Sequence, residues 1–156
     1  MELKALTTAT LLFVGLALVM AIIYLDASHQ DLGSMWIGPA NIAATYYGPG
    51  VSYTTLVSLA HIHMLGLTAV FFIIGFIFAH SSLSPAWKAF WSVLPYVAFL
   101  VDVCGWFLTK NNPAFVYVVI AGGGLFVLGL VVMILYSLYE IWLKRTLVAK
   151  RPAAAR

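Results

Sequence analysis

Four long apolar segments, residues 5–25, 54–79, 87–108 and 113–143, constrain this chain more than any other feature. A bilayer span takes roughly 20 mainly apolar residues, and each segment reaches that length. Lipid offers no water to backbone N–H and C=O groups, so a spanning segment must satisfy them internally. Period-2 alternation is absent, which predicts helices rather than barrel strands. The expected fold is all-α: a polytopic integral membrane protein whose four transmembrane helices form a bundle, with residues 1–156 as a single membrane domain. Composition agrees, at 63% hydrophobic and 8% charged. Soluble domains carry about 25% charged residues, so lipid must cover part of this surface.

Basic residues set the expected topology. Of eight Lys and Arg, five (Lys144, Arg145, Lys150, Arg151, Arg156) fall in the tail 144–156. Lys4 precedes the first segment and Lys88 opens the third, whereas the connection 26–53 has no Lys or Arg and carries Asp26 and Asp31. The positive-inside bias then places both termini in the cytoplasm. A bacterial inner (cytoplasmic) membrane is the expected location. The net charge of +3 reads as this membrane anchor and not as a nucleic-acid surface. The first segment is too long for a secretory signal and no Ala-x-Ala-type site follows it, so it reads as a retained span.

The connection 26–53 is long for a helical hairpin. Gly38-Pro39 and Gly48-Pro49-Gly50 bracket residues 40–47. Pro at a first helical position and Gly past the end predict a short helix there. Trp36, Tyr46, Tyr47 and Tyr53 around it read as an interfacial aromatic belt, with a lid covering a site as the alternative. The lone Cys104 allows no internal disulfide and reads as a small apolar filler. Pro95 should kink the third helix; kinked packing without a ligand is the expected outcome, and a gap admitting a quinone headgroup the alternative.

His61 and His63 are the chemically unusual residues, because an ionisable side chain at bilayer depth is costly and marks a function by default. At 1.5 Å per residue they fall roughly 10–15 Å from the outer end of the second helix. Asp102 and Gly122-Gly123-Gly124 reach a similar level on the third and fourth helices, and Met20 on the first. A bond from Asp102 to a histidine would satisfy both and fix the ring's tautomer. The glycines serve either close helix packing or space for a cofactor. Met20 and Met64 read as core residues, with a ligand role as the alternative.

Side chains at i and i+2 of a helix diverge by about 200°, so His61 and His63 cannot both hold one metal on a regular helix. One ring can ligate a cofactor while the other bonds elsewhere. The run Ala60-His61-Ile62-His63-Met64-Leu65-Gly66 resembles the helix of haem–copper oxidase catalytic subunits whose neighbouring histidines serve two haems. The resemblance covers about ten residues. The copper-binding histidine cluster of that family is missing, so the resemblance implies b-type haem ligation at His61 or His63 and not oxygen reduction.

The expected function is thus a membrane electron-transfer subunit with haem b near the outer face, held by His61 or His63. His29, Met20 or Met64 would supply a second axial ligand; Asp102 would orient a ligand and Gly122, Gly123 and Gly124 make room. Its partners would be other subunits of a respiratory complex, quinol and a periplasmic electron carrier. Two alternatives stand beside it. One is a non-enzymatic accessory subunit whose polar layer only holds helices together. The other is a copper site built from His29, His61 or His63, and Asp102. No nucleophile–base pair, phosphate loop or carboxylate dyad is present, so the chain reads as a redox subunit and not a stand-alone enzyme. His80 reads as an interfacial residue capping the inner end of the second helix.

Overall fold

The computed structural model describes residues 2–27 and 38–144. His29, Trp36 and the basic tail beyond Lys144 lie outside the described residues. Helix α1 runs Glu2–Ala27, α2 Pro39–Tyr46, α3 Tyr53–Ala79, α4 Pro85–Asn111 and α5 Val116–Tyr139. A 3-10 turn, Pro113–Phe115, leads into α5, and a π-helical turn, Glu140–Lys144, extends it. Four stretches are long and apolar enough to cross a membrane: Leu3–Tyr24, Tyr53–Ala79, Pro85–Asn111 and Pro113–Lys144. The protein is an all-helical, polytopic membrane protein, as the apolar segments require.

The helix ends follow local chemistry. Ser52 caps α3, its Oγ accepting from the Thr55 backbone N–H at 3.1 Å. Pro85 takes the first position of α4, where a missing N–H costs nothing. Asn112 ends that helix, and its side chain accepts from the Ala114 N–H at 2.9 Å to start the next turn. Pro39 opens α2, the first helical position that the sequence suggests for it. After α2, Gly48 has φ 57°, a left-handed conformation that costs a side-chain-bearing residue energy. Its carbonyl accepts from Lys110 Nζ at 2.7 Å and its N–H reaches the Lys110 carbonyl at 3.3 Å. The turn is thereby pinned to the end of α4.

Helices α4 and α5 make the most extensive contact, α3 packs on both, and α2 lies over their outer ends. Phe71 of α3 anchors the centre with ring contacts to Tyr96, Phe99 and Phe126. Helix α1 meets α5 and α3 only lightly, and among its described side chains only Leu11 is buried. Tyr53 Oη donates to Asn111 Oδ1 at 2.8 Å, joining α3 and α4 at the outer end. At the inner end Lys88 Nζ donates to the carbonyls of Ala79 and Ser81. There, too, the Trp142 indole donates to Thr8 Oγ1 at 3.1 Å, bringing the start of α1 beside the end of α5.

Two expectations about burial are corrected. Cys104 is exposed on α4 and fills no core. Met20 and Met64 are likewise exposed. The space beside Pro95 is occupied by α5: a Cβ on Gly129 would stand 2.9 Å from Pro95 Cγ. No headgroup-sized gap exists on that side, because a glycine lets the neighbouring helix close over the proline ring.

Candidate functional site

Helix α3 carries His61 and His63 about ten residues from its outer end, roughly 15 Å along the axis. Both rings are exposed. His63 turns Nδ1 to the carbonyl of Leu59, one helical turn back, at 2.8 Å. A carbonyl only accepts, so Nδ1 is the donor here, and in the neutral tautomer that this selects Nε2 carries the lone pair. This is the tautomer in which metal-binding histidines are commonly held by a backbone carbonyl. The ring also stands edge-on to Trp106 of α4, with centroids 5.9 Å apart. His61, about 200° round the helix from His63, makes neither kind of contact among the described residues.

Trp106 is the hub of the outer layer. It is 7% exposed, stacks on Tyr46 of α2 at 5.9 Å and meets Phe99 edge-on at 6.2 Å. Asp102 sits one turn earlier on the same helix, buried like the indole. Burial holds the Tyr46 phenol above its ordinary range, and the charge of Asp102 adds to the rise. Tyr46, Trp106, Asp102 and His63 therefore form one neighbourhood where α2, α3 and α4 meet.

Asp102 does not pair with any of the described histidines, the bond that would have satisfied both. Its backbone is pressed against α5: a Cβ on Gly122 would lie 2.6 Å from Asp102 N, 2.8 Å from its Cα and 2.9 Å from the Ala98 carbonyl oxygen. Gly122 thus makes room for a helix and not for a macrocycle. A Cβ on Gly123 would stand 3.7 Å from Asp102 Oδ1, an ordinary contact, and Gly124 faces open space. Among the described residues no three of His, Cys, Asp and Glu gather around a common metal position. The copper set of His29, one of His61 or His63, and Asp102 is not assembled by α3 and α4, and His29 lies outside the described residues. His80 occupies the C-cap of α3 as expected, its Nδ1 bonded to the Phe76 carbonyl at 2.8 Å.

Residues 37–147, from the start of α2 to just past the end of α5, match the model of the Aq_1264_TM family, a transmembrane helical domain. The chain belongs to that family. The shared unit is α2–α5, and the lightly packed α1 precedes it. No curated protein and no solved structure matches the chain.

Two members of the outer neighbourhood escaped the sequence reading as site residues. Trp106 carried a usable signal, its i, i+4 spacing from Asp102. Tyr46 read as part of an aromatic belt or a lid, with nothing to mark it as the partner of Trp106.

Proposed function

We propose that this protein is an electron-transfer subunit of a larger membrane complex, carrying haem b on the outer half of α3 with His63 as an axial ligand. The observation behind this is the exposed His63 ring, its Nδ1 committed to Leu59 and its Nε2 lone pair unused at bilayer depth. An uncompensated polar atom there is costly, and an iron centre satisfies it. Ile62 and Met64, one position to either side of it, are apolar and exposed, and Gly66, one turn on, faces open space, surroundings that an apolar macrocycle can occupy. The residues fit one axial bond. The second ligand would come from His29 or from a neighbouring subunit, since Asp102 and the glycines are engaged between α4 and α5.

When bound, the haem supplies reversible one-electron chemistry. The protein's part is to fix the imidazole. Leu59 sets the tautomer, Trp106 sets the ring plane, and Tyr46 holds the indole in place. In this reading electrons pass between quinol and a periplasmic carrier, in a bacterial cytoplasmic membrane. A Soret band kept in His61→Ala and lost in His63→Ala tests the assignment. An accessory, cofactor-free subunit is the second reading, favoured by Gly122 and Asp102 acting as a packing seam. Haem-free protein that copurifies with fixed partners supports that reading instead.

A further inference from the structure

At the inner end, opposite His63, α1, α3 and α5 enclose a cavity of about 420 Å³. Its polar lining comprises Lys4, Thr7, His80, Ser81, Ser137 and Glu140, and its remaining walls are apolar. Ser81 and Ser137 are both at least nine-tenths buried, and their hydroxyls have no hydrogen-bond partner within the described protein. Buried polar groups are normally paired, so two orphan donors beside one cavity call for an acceptor. A serine hydroxyl redirects by rotation about χ1 alone.

Charge identifies the acceptor. Glu140 accepts from Ser82 and pairs with Lys144 at 3.3 Å, so its charge is compensated. Lys4 lies over the Trp142 ring, 3.8 Å from the centroid, and makes no ion pair with a described residue. Lys88 reaches the Ser81 carbonyl with Nζ and adds a second cation close by. His80 turns Nδ1 to Phe76, leaving Nε2 for a further bond. The balance is positive, with hydroxyl donors to spare. Helix α1, which contributes Leu3 to the lining, also exposes apolar side chains such as Leu6 and Phe13 further round its axis.

We propose that this cavity binds the phosphodiester headgroup of an anionic phospholipid. Lys4, Ser81 and Ser137 hold the phosphate oxygens, and the acyl chains run along α1. Basic pockets between membrane helices on the cytoplasmic side bind lipid headgroups in this way. The lipid joins α1 to the α2–α5 unit, which otherwise grips that helix weakly. The site is independent of any haem at His63.

The test is native mass spectrometry of the delipidated full-length protein in detergent, titrated with phosphatidylglycerol, phosphatidylcholine or inorganic phosphate. One phosphatidylglycerol should be retained per chain, in preference to phosphatidylcholine. Lys4→Gln, a substitution at the cavity rim, should weaken retention about tenfold, the loss expected for one charge-assisted contact. The double variant Ser81→Ala/Ser137→Ala should also weaken it, without lowering the melting temperature of the lipid-free protein. A merely structural pair of serines would lower that temperature and leave retention unchanged. Equal retention of the two lipids, unchanged retention in Lys4→Gln, or binding of inorganic phosphate as tight as that of the lipid would each overturn the proposal.

Discussion

The His63 imidazole meets the Trp106 indole edge-on, centroids 5.9 Å apart and planes at 85°, across the contact between α3 and α4. With Nδ1 tied to Leu59, the ring is held in both tautomer and plane. A side chain so fixed has lost its rotamer freedom before any ligand arrives, which lowers the entropic cost of binding. The same indole stacks on Tyr46, so the short helix α2 takes part in positioning a residue on α3.

Truncating the hub should therefore be expensive. Trp106→Ala removes contacts to Tyr46, Phe99 and His63 together and should cost about 3–5 kcal/mol, the range for buried aromatic truncation. Trp106→Phe should cost less, since it keeps an aromatic ring at the position and loses only the second ring and the indole N–H. Unfolding of the two variants in mixed detergent measures the difference.

The seam between α4 and α5 predicts a sharp positional contrast among three adjacent glycines. Gly122→Ala drives a methyl into the Asp102 backbone and should destabilise by about 1–3 kcal/mol, the usual cost of overpacking. Gly124→Ala points into open space and should be neutral or slightly stabilising. Thermal melts in detergent separate the two.

Alkaline stability should depend on Tyr46. Its folded pKa lies above the ordinary value of 10.0, raised by burial and then by Asp102. The folded protein thus keeps a proton that the unfolded chain gives up, so stability falls as pH rises past the unfolded value. The contribution is complete below about pH 10 and is lost as pH climbs toward the folded value. Tyr46→Phe should show a shallower decline in melting temperature between about pH 9 and pH 12.

Lys110 holds the Gly48 turn from the end of α4. Lys110→Met should remove a charge-assisted bond and loosen α2 without unfolding the bundle, at a cost of about 1 kcal/mol. Faster amide exchange confined to residues 47–51 is the expected signature.

The spans were legible because lipid imposes a length and a composition that few other structures share. Helix α2 was legible because Gly38-Pro39 and Gly48-Pro49-Gly50 punctuate the chain on both sides of it. Orientation about the helix axes was not. These helices are apolar all round, so no polar face says which side turns inward. Lipid is as apolar as the core, and Cys104, Met20 and Met64 suit either place equally well. The level shared by His63, Asp102 and Gly122 could be counted at 1.5 Å per residue. That Asp102 packs against α5, and not against His61 or His63, depends on rotations that counting does not fix.

The central claim, haem ligation by His63, is tested most directly by absorption spectra of the gently solubilised native protein, oxidised and then dithionite-reduced. The account predicts Soret and α bands at about one haem per chain, lost in His63→Ala and retained in His61→Ala. A featureless spectrum from protein made with haem supplied, or bands unchanged in His63→Ala, would contradict it.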